Sequence, residues 1–267
     1  MNGLGPALLF CPADRPDRYA KAATAADAVV LDLEDAVAPG DKPAARKALA
    51  ASRLDPATTL VRVNAAGTGL LDDDLAAVRQ TGYRILMLPK AETSAQVDLL
   101  DGYRVIALCE SPLGVEQAAA LAAHPSVDGL FWGAEDLVAG LGGTSSRVPG
   151  GAYRGFAQYA RARVLMAASA AGKAAYDAVH LDIADDAGLA AEAEDAAASG
   201  FAGTLCIHPR QVPVVRAAYR PAAEAVQDAK ALLQAAEGAP GVFVWRGRMV
   251  DEPLLRQARR IVARAET

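Results

Sequence analysis

Cysteine is scarce in this chain. Cys11, Cys109 and Cys206 are isolated and odd in number. With no C-x-x-C pair, a disulfide framework and a cysteine-based zinc site are excluded, and a reducing compartment is the simplest setting. Each thiol is expected as a small buried apolar group. No run of about 18 apolar residues occurs, which excludes a transmembrane helix by pattern. Met1-Asn2-Gly3-Leu4-Gly5-Pro6 carries neither a basic stretch nor a long apolar core, so no secretory signal is expected and the expected location is cytoplasmic. Positive charge is not in excess either. Lys and Arg number 27 against 32 Asp and Glu, a net charge of −5. Without a basic block, nucleic acid and anionic membranes are poor partners. An anionic substrate must be held by a local site.

What the chain has in quantity is alanine, 63 of 267 residues and close to half of its 52% hydrophobic content. Alanine is the strongest helix former. Ala-rich amphipathic stretches alternate with short Val/Ile/Leu-rich runs. The runs are 7–12, 28–35, 58–64, 84–90, 104–111, 129–136, 177–183 and 202–209. They show little polar alternation, as strands buried on both faces should. The intervening stretches, 16–26, 42–52, 70–81, 93–101, 115–123, 152–172, 186–199 and 213–219, predict helices. Eight βα units point to a closed (β/α)8 TIM barrel over residues 1–220, with an open doubly wound sheet as the alternative. Residues 221–267 read as a short C-terminal helical and hairpin lid extension. It comprises a helix to Glu237, a break at Gly238-Ala239-Pro240-Gly241, a hairpin turning at Arg246-Gly247, and a last helix capped by Asp251.

Polar residues cluster at the C-terminal ends of the expected strands. These are Asp32-Leu33-Glu34-Asp35, Arg62-Val63-Asn64, Pro89-Lys90, Glu110-Ser111, Glu135-Asp136 and His208-Pro209. In barrel enzymes that rim carries the chemistry. Carboxylates on neighbouring strands suit a hard divalent cation, so Glu110 and Asp136 are candidates to share one Mg2+. The competing readings are an ion pair from Glu110 to Arg62 or Lys90, and helix capping by Asp136. Arg62 offers a planar fork for a carboxylate, or a salt bridge across the mouth. Lys90 has the chemistry for a Schiff base, but an electrostatic or structural role is preferred. Gly67-Thr68-Gly69 and Gly140–Gly143 match neither a dinucleotide fingerprint nor a P-loop. His124 and His180 are read as structural. A Cys206–His208 thiol centre is set aside, because a shared strand face does not guarantee contact.

The chain resembles the HpcH/HpaI aldolase and citrate lyase β-subunit family, closest to its short, stand-alone citrate-lyase-β-like members. The resemblance rests on Leu9-Phe10-Cys11-Pro12-Ala13-Asp14-Arg15-Pro16-Asp17-Arg18, Leu31–Val37 with Asp41-Lys42, and Arg62-Val63-Asn64. It continues through Leu88-Pro89-Lys90, Glu110-Ser111, Trp132–Leu137 and Cys206-Ile207-His208-Pro209. It implies a Mg2+-dependent carbon–carbon lyase that cleaves a 3-hydroxyacyl-CoA of the citramalyl-, malyl- or hydroxymethylglutaryl-CoA type to acetyl-CoA and an oxo acid. By position it makes Glu110 and Asp136 the metal ligands and Arg62 the holder of the oxo acid. Gly133, Ala134 and Glu135 then line the substrate, and Arg15 and Lys21 contact coenzyme A. Asp251 becomes an acid/base that serves a neighbouring subunit of a homotrimer or hexamer. Alternatives of other kinds are a related aldolase or acyl-CoA thioesterase, a citrate lyase β subunit, and a non-catalytic acyl-CoA-binding protein. Three departures from the family pattern are Ala13 for Gly, Trp132 for Phe, and Gly203-Thr204 where many members carry Gly-Lys.

Overall fold

The computed structural model describes residues 4–266. Eight parallel strands close into a (β/α)8 barrel: β1 (Ala7–Pro12), β2 (Ala28–Asp32), β3 (Thr59–Arg62), β4 (Ile85–Leu88), β5 (Arg104–Cys109), β6 (Val127–Trp132), β7 (Ala174–Asp177) and β8 (Gly203–Cys206). The ring closes where Leu8 pairs with Leu205. The pleat sends alternate residues inward. Leu8, Val30, Leu60, Ile85, Met87, Ile106, Leu108, Phe131, Tyr176 and Leu205 therefore fill the interior.

The helices are α1 (Pro16–Ala25), α2 (Lys42–Ala51), α3 (Leu71–Val78), α4 (Ser94–Asp98), α5 (Pro112–Glu116), α6 (Ala118–Ala123), α7 (Ala134–Gly140), α8 (Gly155–Ala170), α9 (Asp186–Ser199) and α10 (Gln211–Tyr219). Their buried faces are largely alanine, with Ala45, Ala118, Ala160 and Ala193 fully buried. Among the described residues no helix is long and apolar enough to cross a membrane.

The chain divides into two compact units, one ending at Arg216 and one starting at Ala217. The second contains α11 (Ala223–Ala235), β9 (Phe243–Trp245), β10 (Arg248–Val250) and α12 (Glu252–Ala265). Its small core is Ala229, Leu232, Val250 and Ala258. The strands β9 and β10 form the expected antiparallel hairpin. Its two turn residues, Arg246 and Gly247, both have positive φ (47° and 76°), the twist that a two-residue hairpin turn requires.

Several expectations need correction. The seventh strand is Ala174–Asp177, not 177–183. Its sequence reads as a continuation of the Ala-rich helix before it, but Gly172, at φ 67°, turns the chain out of α8. The residues after Asp177 are rim loop, with Leu181 and Ile183 exposed. The sixth strand stops at Trp132, and Glu135-Asp136 lie in the first turn of α7 rather than at the strand end. The expected 115–123 helix is two short ones, α5 and α6. Asp251 stands at the N-cap position of α12, but its side chain makes no capping hydrogen bond.

Candidate active site

The same two-residue alternation that fills the barrel interior places Asp32, Arg62 and Glu110 one step beyond Val30, Leu60 and Leu108, on the inner face at the mouth. Asp32 and Arg62 are register partners on neighbouring strands. The Asp32 carboxylate accepts Nε and Nη2 of Arg62 at 2.7 and 2.6 Å, a bidentate pair. Its two oxygens also accept the backbone N–H of Glu34 (2.9 Å) and of Ala36 (3.1 Å). The guanidinium lies over the Phe10 ring, 4.7 Å from its centroid.

The turn after β2 is held from its other side by Lys42 of α2. This buried ammonium donates to the carbonyls of Leu33 (2.8 Å) and Glu34 (2.9 Å) and to Oδ1 of Asn64 (2.8 Å). Asn64 in turn donates its N–H and Nδ2 to Asp74, both at 2.7 Å, and Arg46 closes the chain on Asp74 at 2.8 Å. The turn is thus pinned through its N–H groups by Asp32 and through its carbonyls by Lys42. It presents Glu34, whose carboxylate meets Lys90 Nζ at 2.5 Å and Arg62 Nη1 at 3.1 Å.

Lys90 links this half of the site to the other. It has a positive φ of 50°, uncommon for a residue with a side chain. In that conformation its N–H donates to Glu110 Oε1 at 3.0 Å. Its ammonium also lies 3.6 Å from both Asp35 and Asp136. Gly133 opposes Glu110 closely. A Cβ there would lie 3.0 Å from the Glu110 Cβ and 3.0 Å from its Oε2. Trp132, just before it, is fixed by donating to Asp177 at 2.7 Å, and Arg161 grips the same carboxylate at 2.8 Å. Glu135 accepts the Ser146 hydroxyl at 2.7 Å.

Burial, then the charges of Asp136 and Glu34, push the Glu110 carboxyl up to about 8, with Lys90 and Arg62 pulling the other way. Burial also raises Glu34, against the pull of Arg62 and Lys90. For Lys90, burial opposes the charged form. The Glu34 contact and the Glu34, Glu110 and Asp136 charges outweigh it and hold the amine above the ordinary lysine value. A Schiff-base amine needs the neutral form, so this environment disfavours that chemistry. The five carboxyl groups Asp32, Glu34, Asp35, Glu110 and Asp136 face two cations, Arg62 and Lys90. Both cations already form ion pairs with Asp32, Glu34, Asp35 or Asp136. Among the described residues Glu110 forms no ion pair, and it accepts its hydrogen bond from the Lys90 backbone N–H. A buried oxygen donor beside a half-exposed carboxylate, in a site with surplus negative charge, fits a small hard cation.

The structure brings Arg62, Glu110, Asp136 and Gly133 together, with Ala134 and Glu135 opening α7 beside Gly133. Arg15 and Lys21 are exposed on the β1–α1 segment, and Arg15 is paired with Asp17 at 2.9 Å. Asp251 belongs to the second unit, where one of its carboxylate oxygens is buried without a hydrogen-bond partner. His124 and His180 are bound to Asp98 (3.0 Å) and Glu192 (2.9 Å). Cys206 is buried and its thiol is pushed up to about 12 by that burial, which removes it as a nucleophile. Sequence reasoning placed Glu34 at the rim without a role, and it missed the Lys42–Asn64–Asp74 chain. The available signal was a charged run closing a buried strand, followed by a lysine at the first position of a helix.

The HpcH/HpaI aldolase/citrate lyase family model matches residues 7–209. The citrate lyase subunit beta-like protein of Mycobacterium tuberculosis is 54% identical over 265 residues, covering 99% of this chain and 97% of that protein. The mitochondrial citramalyl-CoA lyase of Homo sapiens is 32% identical over 293 residues, covering 97% of this chain and 85% of that one. The crystal structure of the protein CitE from Mycobacterium tuberculosis in complex with magnesium, acetoacetate and coenzyme A matches with a TM-score of 0.95, at 54% identity and over 98% of each chain.

Proposed function

This chain belongs to the HpcH/HpaI aldolase/citrate lyase family, and on that premise we propose that it is a Mg2+-dependent carbon–carbon lyase acting on a 3-hydroxyacyl-CoA. The reaction is a reversible Claisen-type cleavage to acetyl-CoA and an oxo acid. The observation that carries the reading is Glu110, a buried carboxylate with a backbone donor and, among the described residues, no ion-pair partner, which feels the charge of Asp136 and is closely approached by Gly133. Glu110 and Asp136 would hold the metal. When bound, Mg2+ supplies a Lewis acid for the hydroxyl and carboxylate oxygens of the substrate.

The protein's own groups divide the remaining work. Arg62, locked by Asp32, presents its remaining N–H groups to the acid end of the substrate. The backbone of Gly133 and Ala134 faces the same carboxylate, with Glu135 beside them. In cleavage, the hydroxyl proton passes to solvent water as its O–H electron pair forms the carbonyl of the oxo acid, and the pair of the breaking carbon–carbon bond passes to the thioester enolate. Asp251 delivers a proton to that carbon; in the reverse direction it removes one from the methyl group. General acid–base help of this kind contributes about 10²–10⁴-fold. Arg15 and Lys21 bind the coenzyme A portion. The assembly is a homotrimer or hexamer in the cytoplasm, with Asp251 serving a neighbouring copy.

The test is cleavage of malyl-, citramalyl-, citryl- and hydroxymethylglutaryl-CoA with Mg2+, with the released acid identified. One ester should be cleaved, a chelator should stop turnover, and Glu110→Gln should lower it at least about 100-fold. Coenzyme A binding with no cleavage across the panel would replace this reading with a non-catalytic acyl-CoA-binding protein. Mixing Asp251→Ala with Glu110→Ala chains tests the shared site; without recovery of activity, the role of Asp251 in a neighbouring copy fails.

A further inference from the structure

Lys90 is placed at a backbone cost. A side chain at φ 50° is disfavoured by its Cβ, and a glycine would occupy the position freely. Residues held in such conformations cluster where function requires them. The cost brings two groups to the metal-ligand pair at once. The Lys90 N–H reaches Glu110 at 3.0 Å, and its ammonium lies 3.6 Å from Asp136 while anchored on Glu34 at 2.5 Å. The ammonium therefore sits within Coulombic range of a cation held by those carboxylates.

We propose that Lys90 is a resident counter-ion of the metal site: it holds Glu110 and Asp136 in place when no metal is bound, and it weakens the binding of the divalent cation that takes over that charge. The inference rests on the reading of Glu110 and Asp136 as the metal pair. It assigns Lys90 neither a covalent nor a proton-transfer role. Its Coulombic sign is fixed, because removing a positive charge next to a cation site strengthens cation binding. A purely structural role predicts the opposite, since loss of a supporting side chain loosens the ligands. Partial screening by water and salt sets the expected scale at about tenfold.

The experiment is titration of the chelator-treated full-length protein with Mn2+, read by the loss of the free-ion electron paramagnetic resonance signal. Lys90→Met keeps an unbranched side chain, so it makes the same demand on the left-handed backbone while removing the charge. It should bind Mn2+ about tenfold more tightly than the parent protein, and Mn2+ should raise its melting temperature by more. Lys90→Arg, which keeps the charge, should stay near the parent affinity. Equal or weaker Mn2+ binding by a folded Lys90→Met protein overturns the inference. If Glu110→Gln and Asp136→Asn both keep the parent Mn2+ affinity, the ligand assignment itself fails and the counter-ion role fails with it. Loss of Mn2+ binding in those two variants, with no tightening in Lys90→Met, overturns only the counter-ion role.

Discussion

Replacing Lys42 by Met removes three hydrogen bonds from an ammonium that is only 7% exposed. The side-chain volume is nearly kept, so cavity formation contributes little. Hydrogen bonds to a charged group are each worth about 1.5–3 kcal/mol, which sets a ceiling near 9 kcal/mol. The real loss is smaller, because two of the three acceptors keep a second donor. Leu33 O still receives Asn64 Nδ2 at 3.0 Å, and Glu34 O still receives the Val37 N–H at 3.2 Å. Only Asn64 Oδ1 is orphaned, at about 1–3 kcal/mol. Relief from burying the charge offsets part of the rest. The expected destabilisation is about 3 kcal/mol, a fall of about 6–12 °C in melting temperature for a chain of this size. The assay is urea unfolding followed by circular dichroism, with the midpoint shifted and the slope unchanged. Turnover, measured well below the melt, should fall as well, because the turn carrying Glu34 loses its carbonyl anchor. Leu49→Ala, a core change on the same helix, serves as the control for destabilisation alone. A Lys42→Met protein less than about 1 kcal/mol weaker than its parent, or one as active as Leu49→Ala, would refute the accounting.

Gly133→Ala should lower turnover about tenfold while costing about 1–3 kcal/mol of stability. The backbone there, φ −119° and ψ 126°, suits any residue, so the effect isolates the 3.0 Å approach of the new methyl to Glu110. Turnover equal to the parent at saturating Mg2+ would show that the approach does not matter. The thiols of Cys11, Cys109 and Cys206 are pushed up to about 11, 12 and 12, with burial the leading cause in each. A raised thiol value means less thiolate at every lower pH. At pH 8 a disulfide reagent should therefore leave the native protein unlabelled over minutes and count three thiols in denaturant; one fast equivalent in the native state would contradict this.

The barrel was legible because period and burial agree. Val29-Val30-Leu31 or Leu86-Met87-Leu88 admits little but a strand covered on both faces, and the alanine stretches around them admit little but helix. The seventh strand escaped because Ala174-Ala175-Tyr176 carries no such signature. It is a strand because its neighbours supply hydrogen bonds, a tertiary cause without a local trace. Arg62 and Glu110 could be found by their position at strand ends, and Asp136 by its place in the helical turn just beyond one. Lys42 could be noticed only as a lysine opening a helix, not for its role. Its acceptors are two backbone carbonyls 9 and 8 residues away and an amide 22 residues away, a set that exists only once β2, α2 and β3 have packed together. Asp74 has the same kind of cause: it stands in the first turn of α3, yet it is fully buried on Asn64.

The alanine faces of the helices have an evolutionary consequence. Fully buried residues such as Ala45, Ala118, Ala160 and Ala193 leave no room for growth, and forcing extra methylenes into such a shell costs about 1–3 kcal/mol each. Two or three such changes would consume much of the margin of an ordinary domain. The shell is therefore close to frozen against enlargement, while exposed residues such as Leu181 and Ile183 in the loop after Asp177 stand outside it. Sequence drift can concentrate in such peripheral positions, with the scaffold and the charges at the barrel mouth left as they are.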